Sequence, residues 1–215
     1  MESQTSPTIG QLIVAAFGLA QNSNKKIHQH WIQISHRIGS QLPQSLLANS
    51  IQRLGEIDLL CRALEQELLD RPPPEAGLDF RFNYLWVLSE WWVGSAYAVC
   101  FTLKGRKILT DHNFLKLADD LRMIRVQIEK HEVPSDKNLG EPLQFSPTQL
   151  RPDEKTPPIF RYDKNDRLRA HIPRRGASSR QSAMWEVFDV KADESRWYER
   201  LELSDRMLNL FDPQS

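Results

Sequence analysis

Between residues 84 and 103 the chain reads YLWVLSEWWVGSAYAVCFTL, twenty residues with a single charge, Glu90. A segment this apolar must be covered on nearly every side, by lipid or by protein. Its length matches the ~20 residues needed to cross a bilayer. Glu90 near its middle is costly in lipid, and Ser89, Gly94, Ser95 and Thr102 dilute the remainder. The segment therefore predicts a central helix, running from about Arg81 to Leu103, in a bundle whose other helices supply the cover. A chain of 215 residues, 40% hydrophobic and 26% charged, has room for one sizeable core and an appendage.

The neighbouring segments supply that cover. Residues 8 to 38 are helical in pattern, with apolar residues in LIVAAFGLA and again at Ile27, Trp31, Ile34 and Ile38. Over residues 43 to 70, Leu47, Ile51, Leu54, Ile57, Cys61, Leu64 and Leu68 recur at helical spacing until RPPPE ends the run. Asp111 can cap a further helix carrying Phe114, Leu117, Leu121, Ile124 and Ile128, which Pro134 stops. The expected architecture is mainly α: an antiparallel helical bundle over residues 1–132.

After residue 132 the chain changes character. Six prolines between 133 and 158 predict an irregular arm. Beyond it, residues 159–215 predict a small basic α+β tail. There Arg167-Leu168-Arg169-Ala170-His171-Ile172 alternates polar with apolar and is expected to pair with IFRY as a hairpin. MWEVFDV and RWYERLEL are strand candidates, and Ser204 is the expected cap of a short final helix.

Twenty-eight basic residues balance twenty-eight acidic ones, so any affinity for polyanions must be local. Between residues 161 and 180, seven positive residues face two aspartates, a local charge of +5. Arg174 and Arg175 are the candidates there for following a phosphate backbone, with Tyr162 or Trp185 to stack a base. A solvated hairpin edge would explain the same charges. No metal or cofactor is implied: Cys61 and Cys100 stand apart, and His28 and His30 face apart on a helix. The reading is of a reduced, cytoplasmic protein without a secretory signal or membrane span.

One helix end carries residues suited to chemistry. In LRMIRVQIEKHEVP, residues 121 to 134, Arg125 and His131 border the apolar stripe, about 120° and about 9 Å apart on an ideal helix. Cleavage of RNA by its own 2′-hydroxyl needs a proton donor or acceptor working near neutrality and a fixed positive charge on the phosphate. Histidine and arginine supply these. The ordinary alternative is a local Arg125–Glu129 pair and a histidine that satisfies carbonyls at the helix end.

A helical bundle with an Arg followed after four to six residues by a His, near the end of a late helix, resembles the HEPN domain of higher-eukaryote and prokaryote nucleotide-binding proteins. The resemblance covers residues 43 to 134. It implies a symmetric homodimer whose two motifs share a cleft, often a metal-independent ribonuclease of toxin–antitoxin or antiviral defence systems. Carried over, Arg125 and His131 are the motif residues and Glu90 a third polar member able to pair with Arg125; Lys130, and in the basic tail outside the resemblance Arg174 and Arg175, are the expected RNA contacts. The residue after Arg125 is Val126, where many active members carry Asn, Asp or His, a departure that bears on catalysis more than on fold. A second expectation, from another class, is a non-catalytic helical interaction module that binds a protein partner, an antitoxin included, or a polyanion through the aromatic helix or the basic tail.

Overall fold

A computed structural model describes residues 6–71, 79–145 and 159–211. Most of the loop PPPEAGLD, and residues 146–158 of the proline-rich arm, lie outside them. The first helical stretch is two helices, α1 (Ile9–Ser23) and α2 (Lys25–Gln41). Thr8 and Gln11 close a reciprocal capping box at the start of α1, and the chain breaks at Asn24, whose N–H still bonds back to Ala20 and Gln21. Helix α3 (Leu47–Asp70) follows, then α4 (Arg81–Gly105) and α5 (His112–Lys130). The Asp111 side chain accepts from the Phe114 N–H at 2.9 Å, as expected of a cap.

Helix α3 packs on α1, α2 and α4, and α4 packs in turn on α5. The α2–α3 contact is close because position 55 is glycine. A Cβ there would lie 2.6 Å from Cγ of Trp31. Leu47, Ile51, Leu54, Ile57, Cys61 and Leu68 all turn inward, as their spacing predicts. Both cysteines are buried free thiols, and burial pushes each up to about 12. Among the described residues, no helix is long and apolar enough to cross a membrane.

The C-terminal part departs from expectation in three places. Residues 143–145, within the proline-rich arm, form strand β1 (Leu143–Phe145), and it is β1 that pairs with β2 (Phe160–Tyr162), Phe145 opposite Phe160. Arg167–Ile172 is not a strand. The Asp163 and Asp166 side chains accept from the N–H groups of Asn165 and Leu168, and such local turns draw backbone donors away from a ladder. RWYERLEL divides: strand β5 (Glu194–Glu199) ends where helix α6 (Arg200–Asn209) begins. Ser204 is thus inside α6, with its hydroxyl on Asp58, rather than capping it. MWEVFDV falls in β4 (Ala183–Asp189), which lies between β3 (Arg175–Ala177) and β5 in an antiparallel meander.

Bundle and tail share one core. Trp185 and Val187 of β4 and Leu203, Met207 and Leu208 of α6 are continuous with Trp31, Trp92 and Leu121. At the junction Arg200, wholly buried, donates through Nη1 to Asp58 at 2.6 Å and through Nη2 and Nε to Glu65 at 2.7 and 3.0 Å. Asp58 also accepts from Trp31 Nε1 (3.0 Å), Arg62 Nε (2.9 Å) and Ser204 Oγ (2.7 Å). Burial alone would raise the Asp58 pKa, but Arg200, Arg62 and these hydrogen bonds together hold it below the ordinary carboxylate value.

Arg200→Met should therefore lower unfolding free energy by about 3 to 5 kcal/mol in denaturant titrations, because two buried carboxylates lose their shared cation. Because the folded-state pKa of Asp58 is depressed, its stabilising contribution is present above the unfolded-state value, about 3.9, and disappears as pH falls through the lower folded-state value. Asp58→Asn should flatten that acid limb.

Candidate functional site

Helix α4 is apolar on two opposed faces. Leu85, Trp92, Ala96, Val99 and Leu103 enter the core. On the other side Phe80, Tyr84, Val87, Trp91, Ala98 and Phe101 recur at helical steps within an arc of roughly 100°. The five large members are each between 57% and 63% exposed. Bundle helices usually put charge on the outward face, whereas here an apolar stripe about 30 Å long is left exposed.

Polar groups edge this stripe on the α5 side. Arg125 pairs with Glu129 four residues on (2.6 Å), and its guanidinium lies 4.8 Å over the ring of Tyr97, which packs on Phe101 at 5.9 Å. Gly94 makes room for Glu129, since a Cβ there would lie 3.2 Å from Oε1. Further along, Glu90 meets Arg175 at 2.7 Å, a close ion pair rather than a well-angled hydrogen bond, and Arg175 sits 5.3 Å over Trp86. The expected Arg125–Glu90 pairing is therefore not formed. Arg125 takes the carboxylate on its own helix, and the tail brings Glu90 a different cation. Aromatic residues with arginine at the margin are the composition of protein interfaces.

His131 is the residue that ends α5, at φ 55° and ψ 35° in the left-handed region, and it is exposed, as is Lys130. Its carbonyl accepts from the His171 N–H at 2.6 Å, so its backbone ties the tail to the bundle while the imidazole faces outward. Arg125 and His131 both stand on the surface of α5, and no contact joins their side chains.

The basic segment is less basic in place than in sequence. Arg169 lies between Glu132 and Asp136, Arg174 meets Glu186 at 3.3 Å, Arg175 meets Glu90, and Arg180 meets Glu199 and Asp205. Neither expected stacking residue is available to a base. Trp185 is in the main core, and Tyr162, also buried, donates to Asp136 and accepts from the Val133 N–H. Between the two sheets lies a groove of about 870 Å³ lined by Phe145, Phe160, His171, Ile172 and Phe188. Burial and the nearby Arg174 lower His171 to about 4, so it is neutral at pH 7.

Neither a family model, nor a curated protein, nor a solved structure matches this chain. The residues that sequence reasoning missed are Asp58, Glu65 and Arg200. A signal existed: Asp58 and Glu65 stand with Leu47, Ile51, Leu54, Cys61 and Leu68 at alternating steps of three and four, two carboxylates on an otherwise apolar stripe.

Both members of the Arg125–Glu129 pair are partly exposed, 34% and 42% by side chain. Arg125→Ala should accordingly cost less than about 1 kcal/mol in equilibrium unfolding, and less still at high salt. A loss comparable to that in Arg200→Met would mean that Arg125 holds the fold.

Proposed function

We propose that this chain is a helical interaction module that forms a homodimer through the exposed face of α4. The observation that carries this reading is the uncharged aromatic stripe from Phe80 to Phe101, bordered by Arg125–Glu129 and Glu90–Arg175. Large aromatic side chains exposed along one line give contact area at low entropic cost, and the ion pairs at the margin suit a polar rim. In sedimentation velocity at tens of micromolar the protein should run as a dimer. Trp91→Glu should convert it to a monomer with a melting temperature within a few degrees of wild type, because Trp91 is 60% exposed and outside the core. A wild-type monomer at that concentration would remove this reading.

The second reading is RNA binding or metal-independent RNA cleavage, as the HEPN resemblance implies, in a toxin–antitoxin or antiviral setting. What favours it is the position of Arg125 at the margin of the stripe, with His131 open to solvent on the same helix. A dimer through α4 would bring two copies of Arg125 to one interface. The cations nearest to hand for RNA are Lys130, Arg174 and Arg175, of which the last two already meet carboxylates. Purified protein should then cut single-stranded RNA in EDTA, and His131→Ala should abolish the cutting while leaving the unfolding midpoint unchanged. Inactivity of the dimeric wild type on structured and unstructured RNAs alike would leave the interaction module alone.

A further inference from the structure

Among the described residues, helix α1 is a second apolar surface without cover. Residues 7 to 24 contain no charged side chain. The helix holds to its own chain by its C-terminal half, where Ala20 is buried and Phe17 packs on the core. Every residue from Ile9 to Ala15 is exposed, Ile9 at 78% and Val14 at 73%, with Leu12, Ile13 and Leu19 each above half. An uncharged helix projecting this way is matched by an uncharged partner of similar length.

We propose that α1 of one protomer packs against the α4 stripe of a second copy, reciprocally, so that the homodimer contains two identical α1–α4 contacts. This rests on the dimer reading above and names what fills the α4 face. Chemistry supports it: neither stripe carries a charge of its own, and the charges that border α4, Arg125–Glu129 and Glu90–Arg175, are already paired within the chain. Elsewhere among the described residues, exposed apolar side chains are scattered or border the groove at His171, where Arg174 and Glu186 add charge.

Area supports it as well. With aromatic side chains of ~150–250 Å² each and about 60% exposed, Phe80, Tyr84, Trp91 and Phe101, together with Val87, present roughly 500 Å². The five exposed aliphatic side chains of α1, at the ~25 cal/mol per Å² that equates full burial with ~1.5–3 kcal/mol per side chain, add roughly 300 Å² at their exposures of 51% to 78%. Two α4 faces meeting each other would bury about 1,000 Å², short of the ~1,200 Å² of the smallest standard interfaces, and would leave both α1 helices bare. The reciprocal arrangement buries about 1,600 Å², the standard size of a stable interface. It also has the isologous form of a two-fold dimer, in which each residue of α1 meets α4 of the partner and the reverse.

The test is complementation between two full-length variants, Ile13→Glu on α1 and Trp91→Glu on α4, with folding checked by circular dichroism. Each alone should sediment as a monomer at tens of micromolar. An equimolar mixture should recover heterodimer, because the intact α1 of the Trp91→Glu chain meets the intact α4 of the Ile13→Glu chain. A dimeric Ile13→Glu, or a mixture that stays monomeric up to hundreds of micromolar while wild type dimerises and Trp91→Glu does not, overturns the exchange and leaves an α4–α4 dimer. A wild type that is itself monomeric overturns both; if it then co-sediments with phosphatidylserine vesicles and Ile13→Glu does not, α1 is a lipid contact instead.

Discussion

The guanidinium of Arg200, at the first turn of α6, is held by Asp58 and Glu65, two turns apart on α3. All three side chains are buried, so their charges are compensated by one another and, at Asp58, by Arg62 and the hydrogen bonds from Trp31 and Ser204. The cost of removing three charged side chains from water is offset only when strand β5 ends at Glu199 and delivers Arg200 to that one position. The bundle and the C-terminal segment therefore depend on each other. Without α6, α3 carries two carboxylates on a core stripe, with only Arg62 at hand. Without α3, α6 has a buried cation and no partner.

That dependence shapes the surface. Because the tail is drawn onto α3 and α5, its cations come within reach of carboxylates on other elements, and Glu90 of α4 takes Arg175. A segment with a local excess of positive charge becomes a lattice of ion pairs that joins the sheet to the helices. What remains conspicuous on the outside is apolar: the face of α4 turned from the core and the first turns of α1. These are the surfaces for which the described residues provide no cover, and so the function proposed for the chain is association.

Chemistry at the end of α5 is a separate matter. Arg125 is stabilised where it stands by Glu129 and by the face of Tyr97, an arrangement that serves a helix surface and also holds a guanidinium ready at the margin of a contact. His131 terminates the helix in a left-handed conformation, with its carbonyl bonded to His171. Neither residue needs RNA to account for its conformation.

Local sequence by itself determined α3, α4 and α5, though not the break at Asn24 or the start of α6 at Arg200, because spacing such as Leu47, Ile51, Leu54, Cys61 and Leu68 is decided by the 3.6-residue period and by what each side chain gains from burial. It determined the Asp111 cap and the stop before Pro134 for the same local reasons. It also predicted a segment around Glu90 buried on nearly every side, whereas only one face of α4 enters the core and Phe80, Tyr84, Val87, Trp91 and Phe101 are exposed on the other, because the chain's remaining helices pack on one side of it. Tertiary structure alone decided the rest. That Phe160–Tyr162 pairs with Leu143–Phe145 and not with the alternating Arg167–Ile172 depends on which strand is brought alongside, and the alternation of one segment says nothing of its neighbour. That Glu90 meets Arg175, that Ser204 bonds Asp58, and that Trp185 is core were equally out of reach of local pattern. Each joins residues tens of positions or more apart in the chain, and long-range electrostatics and packing are satisfied only by the assembled fold.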